Sequence, residues 1–341
     1  MNTSERLDRF QQRHRWAGFP LAVLYKFTED QGTYLAALIT YYGFLAMFPM
    51  LLLLASILGF VLQGDQDLQE RILDSTLAQF PIIGDQLGAP QGLRGSGTAL
   101  VIGSLGALYG ASGVAQAMQN AMNVAWAVPR HRRPNPIKSR LRSLIVILIG
   151  GSAVLATTIL SVLGSSAADY GADLGRWSSI LLVTAAVALN SAVVIGVFRV
   201  TTSSTSPVRD LLPGAISAAV IWQLLQLFGG WYVGRVVKGA GVTYGVFAVV
   251  LGLLAWIFLA ALGFVLSAEI NVVRAKRLYP RALLTPFTDD VDLTSADRHV
   301  YAEAATAQTF KGFEEVEVSF DESARAEKRR RRRPRLRHPR R

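Results

Sequence analysis

The stretch Tyr244–Asn271 reads YGVFAVVLGLLAWIFLAALGFVLSAEIN, and its first charged residue is Glu269, close to the end. A bilayer hydrocarbon core is about 30 Å thick and takes about 20 apolar residues per crossing helix. This stretch exceeds that length and is apolar on all sides. A closed membrane barrel would instead alternate apolar and polar residues in segments of roughly ten. Backbone groups in lipid must find their hydrogen bonds within the segment, so the stretch is read as a helix.

Five further segments upstream have the same character. The sequence predicts spanning helices at about 34–62, 98–126, 144–164, 178–198 and 211–233, with 244–270 as the sixth. The expected fold class is therefore all-α, an integral membrane protein built as a six-transmembrane helix bundle. Charged residues make up 17% of the 341 residues, against about 25% in soluble domains. They crowd into the ends and a few connectors. Three parts are expected: a polar segment 1–33, the six-helix domain 34–273 and a basic tail 274–341.

Lys and Arg in short flanks set orientation. Five of them (Arg6, Arg9, Arg13, Arg15 and Lys26) precede the first helix. Six more, Arg130, Arg132, Arg133, Lys138, Arg140 and Arg142, separate the second from the third, and Arg199 and Arg209 separate the fourth from the fifth. The alternate connectors hold only Arg71 and Arg94, then Arg176, then Arg235 and Lys238. Cytoplasmic N- and C-termini follow, with the last outer connector a mild exception. The long connector Gln63–Gly97 is acidic and is expected to lay a short helix on the outer surface before a Gly- and Pro-rich loop. No cleavable signal peptide is expected, because the chain is polar through about Gly18.

The tail turns polar and acidic after Thr285 and ends in RRRRRPRLRHPRR, Arg329–Arg341. It is read as mostly disordered. Much of the net charge of +11 sits there. Arg329, Arg330, Arg331, Arg332 and Arg333 are expected to meet anionic lipid headgroups, at about 1 kcal/mol per basic residue near the surface. Nonspecific nucleic-acid binding ranks below lipid because the tail is tethered beside the inner leaflet.

Four passages resemble one family. They are AALITYYGFLAMFPMLLLL (Ala36–Leu54), GALYGASGVAQAMQNAMNVAW (Gly106–Trp126), VRDLLPGA (Val208–Ala215) and the stretch quoted first. Together they resemble the YihY / virulence factor BrkB family of membrane proteins, over about Trp16–Leu284. Ala46 stands where that family often has Ser, and Ser267 where it usually has Gly. The resemblance implies six helices in the bacterial cytoplasmic membrane, with no settled activity. The family's old label, ribonuclease BN, reads as a misassignment. A nuclease needs an acid/base pair or clustered metal ligands in water. Here there are no cysteines, and His14, His131, His299 and His338 lie far apart and outside the apolar segments. No enzyme activity, metal or cofactor is expected.

Polar residues inside lipid are costly and are therefore functional candidates. Gln116, Asn120 and Asn123 fall at i, i+4 and i+7 on one face of the second helix, and Gln119 pairs with Asn123 on a neighbouring stripe. They either line a polar cavity or hold helices together, since interhelical amides contribute about 0.6–2 kcal/mol each. Gly106 and Gly110 form a small-xxx-small pair for close helix packing. Pro49 interrupts the first helix and kinks it, as a passive bend or at a binding site, with Tyr41 and Tyr42 two turns before it. Glu269 and Asn271 close the sixth helix. A salt bridge from Glu269 to Arg274, Arg142 or Arg199 is favoured over a proton or cation site. Asn190, Gln223 and Gln226 complete the buried polar set, and Asp210 is read as an N-cap with Pro213 in the first turn. These residues favour a transporter or lipid-handling protein, ahead of an envelope-integrity scaffold acting through partners.

Overall fold

A computed structural model describes residues 3–61, 97–169, 176–203, 207–232, 242–289 and 291–321. Every regular element among them is helical: α1 Thr3–Arg13, α2 Arg15–Glu29, α3 Gly32–Val61, α4 Gly97–Ala125, α5 Pro136–Asp169, α6 Arg176–Thr201, α7 Val208–Tyr232, α8 Val242–Ala275 and α9 Ser295–Thr306, with a 3-10 turn at Arg130–Arg132. Among the described residues, Val101–Ala125, Val208–Gly229 and Val250–Ala275 are long and apolar enough to cross a membrane, and Gly32–Met47 and Val187–Thr201 are shorter apolar helices. The connector 62–96, with its expected surface helix, and Arg329–Arg333 lie outside the described residues.

The chain divides into two units. One comprises Phe27–Trp126 and Pro134–Asn271; the other comprises Met1–Lys26, Ala127–Arg133 and Val272–Arg341. In the first unit the helices turn many apolar side chains outward, among them Leu148 at 71% and Leu251 at 64% exposure. In water such a surface would aggregate; in lipid it is the natural exterior. Lipid is as apolar as leucine, so burial does not drive these helices together and close backbone approach has to do so.

The α3–α4 seam achieves this with small residues. A Cβ built at Gly106 would lie 2.9 Å from the Pro49 ring, and one at Gly110 would lie 2.5 Å from the Ala46 Cα. One at Gly113 would enter the Tyr42 ring. Positions 106, 110 and 113 thus meet 49, 46 and 42 in reverse order, so the two helices run antiparallel along one stripe of each. Ala36, Ile39, Ala117, Ala121, Ala261 and Val265 continue the packing from α3 and α4 to α8. Elsewhere the tilted rings of Phe198 and Phe264 lie 5.2 Å apart, and Trp222 meets Trp256 edge-on at 5.1 Å.

Several helix starts differ from the sequence reading. The helix read as the third span begins at Pro136, not near 144, because Asn135 caps it: its Oδ1 accepts the Lys138 N–H at 2.9 Å, and Pro136 fills the first position. The fifth begins at Val208, so Asp210 is inside the first turn and is not the N-cap, and Pro213 lies inside the helix. A carboxylate at that place still complements the helix dipole.

The second unit holds the largest departure. Within the stretch read as a mostly disordered tail, residues up to 321 carry defined structure. α8 ends in a Schellman motif: Leu278 N–H reaches Val273 O at 3.0 Å and Arg277 N–H reaches Arg274 O, with Arg277 at φ 54°. α9 starts in a capping box of Thr294 and Asp297. Arg281 and Asp297 form an ion pair with both side chains fully buried. Asp297 also accepts the Thr294 N–H at 2.8 Å and the Ala282 N–H at 3.1 Å. The N-terminal helices join in. Gln11 donates to Arg281 O at 2.5 Å, Asp8 accepts the Leu283 N–H at 2.8 Å, and the Tyr25 hydroxyl donates to Leu283 O at 2.5 Å. From the 127–133 segment, Arg130 lies 5.0 Å over the Phe310 ring and donates to Gln308 at 3.1 Å. Burial, and then the nearby Arg130 guanidinium, lower the Arg133 pKa below the ordinary arginine value. Such long-range pairing is invisible to periodicity, which is why a polar stretch looked unstructured.

Candidate functional site

The amide stripe of α4 divides between two environments. Gln119 is buried and serves packing: its Nε2 donates to Ser139 O at 3.1 Å and to Ser143 Oγ at 3.0 Å, and its Oε1 accepts from Ser139 Oγ at 3.1 Å. Asn123, also buried, accepts the Ser203 N–H at 3.3 Å. Both amides tie α4 to neighbouring segments. Gln116 and Asn120 instead face an open cleft of about 780 Å³ between α3, α4 and α5. Gln116 donates to Ser112 Oγ at 3.0 Å. Leu38 and Tyr42 of α3, Leu108, Tyr109, Ser112, Gly113 and Ala117 of α4, and Arg140, Leu141 and Leu144 of α5 complete its walls.

The cleft is chemically graded. Ser112, Gln116 and Asn120 recur every fourth residue on one helical stripe, and Arg140 joins them from α5. Among the described residues Arg140 makes no hydrogen bond or ion pair, and it is exposed. Leucines and tyrosines, with Gly113 and Ala117, form the remainder. The sequence reading included Gln116 and Asn120 but not Ser112 or Arg140; the i, i+4, i+8 spacing of Ser112 was the available signal.

Glu269 and Asn271 lie elsewhere in the same unit, both fully buried. Asn271 Oδ1 accepts the Gly214 N–H at 2.6 Å, and a Cβ at Gly214 would strike Ser267 O and the Asn271 amide. Asn271 therefore pins the start of α7 to α8, and Ser267 occupies a tight crossing. Arg142, one of the partners considered for Glu269, donates to Ser203 Oγ at 3.0 Å. Among the described residues no group of three or more His, Asp or Glu is placed to hold a metal ion.

An apolar exterior, small-residue seams and long apolar helices define a helical multi-pass membrane protein. The chain belongs to the family described as Virulence factor BrkB, which matches residues 23–289. It is similar to a UPF0761 membrane protein of Psychrobacter sp. strain PRwf-1, 26% identical over 295 residues that cover 82% of this chain and 53% of the relative. It is also similar to the putative ribonuclease-like protein YfkH of Bacillus subtilis strain 168, 23% identical and covering 74% of this chain and 93% of the relative. A third relative is a UPF0761 membrane protein of Stenotrophomonas maltophilia strain K279a, 25% identical over 82% of this chain and 66% of its own length. The chain thus spans about half the length of the Psychrobacter relative. No solved structure matches it.

Proposed function

We propose that this protein is a six-span protein of the bacterial cytoplasmic membrane that moves or handles a membrane-borne substrate through the α3–α4–α5 cleft. The cleft carries the reading, because Gln116, Asn120 and Arg140 stand in an open space whose other walls, Ser112 aside, are mainly leucine and tyrosine. Gln119 and Asn123, by contrast, bond the neighbouring segments and do not line the cleft. The topology is supported by one unit joining the 1–26, 127–133 and 272–321 segments. Polar segments bonded to one another occupy one side of a membrane, so the chain crosses an even number of times between each pair. Two crossings before 127 and four after 133 satisfy this, and the cytoplasmic side follows from Lys and Arg in the flanks. In this arrangement Arg329–Arg333 meet the anionic inner leaflet.

A ribonuclease reading has only the Bacillus relative's name behind it. The scaffold reading remains the competitor. Thermal shift of the purified protein against a panel of ions, lipids and small metabolites separates the two, because a ligand bound only by the folded state raises the melting temperature. One ligand class is expected to shift the wild type but not Asn120→Ala. By contrast, Gln119→Leu should lower the melting temperature, by about 0.6–2 kcal/mol in stability, yet keep the ligand shift. A panel without any shift, or equal shifts in Asn120→Ala, would move the weight to the scaffold.

A further inference from the structure

We infer that the cleft takes a single anionic amphiphile, a glycerophospholipid with its phosphate at Arg140 and one acyl chain along α4; this rests on the cleft being the substrate site. Three observations carry it. The charged and amide groups are confined to one end. Gln119 bonds Ser139 and Ser143, which sets residues 116–120 level with 139–143. That level is the membrane interface, because Lys138, Arg140 and Arg142 precede the apolar run that starts at Leu144. Away from it the walls lose polarity, from Asn120 and Gln116 through Ser112 to Tyr109 and Leu108. Twelve helical residues rise about 18 Å, close to the depth of one leaflet, half of a core about 30 Å thick.

The second observation is charge. Arg140 is the charged side chain among the lining residues, and a guanidinium grips phosphate oxygens two at a time. The amides of Gln116 and Asn120 supply donors and acceptors suited to a glycerol or ester group. A small soluble anion would use the charged end and leave the apolar furrow unfilled. A neutral lipid would leave Arg140 unpaired beside hydrocarbon.

The third is access. The cleft is open rather than enclosed, and Leu108, Tyr109, Leu141 and Leu144 on its rim are each about half exposed or more. An amphiphile can therefore enter sideways from the leaflet without crossing water.

Native mass spectrometry of the full chain in detergent, titrated with dioleoyl phosphatidylglycerol, dioleoyl phosphatidylcholine or glycerol 3-phosphate, tests this. Phosphatidylglycerol should be retained at least fivefold over phosphatidylcholine. Arg140→Gln should cut that preference below twofold, while Arg209→Gln, an exposed arginine outside the cleft, leaves it intact. Leu144→Trp should lower retention of both lipids at least fivefold. Asn120→Leu provides an independent variant if Arg140→Gln does not fold, and should weaken phosphatidylglycerol binding in the same direction. Equal behaviour of the Arg140 and Arg209 variants overturns the proposal. So does displacement of lipid by glycerol 3-phosphate, which would leave a substrate cleft but assign it a soluble anion. A Leu144→Trp variant that changes oligomeric mass instead of lipid retention would make the face a contact between copies. If no probe binds and Asn120→Leu changes nothing, the cleft reading falls too.

Discussion

Gly110 and Gly150 both sit inside long helices, but their neighbours give them opposite roles. Gly110 lets the backbone of α3 come within contact of α4, while a Cβ at Gly150 would meet nothing within 4 Å. Replacing a mid-helix glycine by alanine gains up to about 1 kcal/mol of helix propensity. Gly150→Ala should therefore raise the melting temperature. Gly110→Ala has the same gain, but its Cβ meets Ala46 backbone that cannot swing aside. Overpacking costs about 1–3 kcal/mol, so the melting temperature should fall. If the two variants moved together, the close α3–α4 approach would be wrong. The sequence marked Gly106 and Gly110 as a packing pair, but could not say that Pro49 and Ala46 are their partners.

At the scale of elements, α9 and the end of α8 make a local test of order in the polar C-terminal stretch. Removing one partner of a buried ion pair leaves an uncompensated charge and costs about 3–5 kcal/mol. Asp297→Ala removes the Arg281 partner and half of the capping box together. It should make residues 276–321 rapidly cleaved in limited proteolysis, while the spanning helices persist by circular dichroism. Unchanged cleavage would remove the case for a folded C-terminal segment. Arg277→Gly should act the other way. Arg277 holds φ 54° at the Schellman position, where glycine adopts the left-handed region without the Cβ penalty. Its melting temperature should rise by the equivalent of about 1 kcal/mol. The capping box joins Thr294 to Asp297 three residues later, but its worth depends on Arg281, sixteen residues away in sequence.

For the whole molecule, topology is the decisive prediction. The chain has no cysteine, so single replacements report cleanly. Gln12→Cys and Lys311→Cys should react with a membrane-impermeant maleimide only when the cytoplasmic face is opened, and Gln91→Cys should react in intact cells. Labelling of Gln12→Cys and Lys311→Cys from opposite sides would break the even crossing count and the six-span reading with it. The two ends agree in this scheme for a physical reason. Asp8, Gln11 and Tyr25 bond the 281–283 segment, and no such bonds can form through a bilayer.

The sequence by itself determined the class: long apolar runs in a charge-poor chain have nowhere to fold but lipid, and in lipid a run of that length is helical. It also marked the polar residues of α4, because helical periodicity is local and can be counted. Only the tertiary structure decided which of them pack and which face open space. Gln119 and Gln116 are alike in chemistry and three residues apart, yet one is spent on Ser139 and Ser143 while the other lines the cleft with Arg140. That division depends on where α5 crosses α4, and a crossing is fixed by contacts between distant residues rather than by any pattern along one helix.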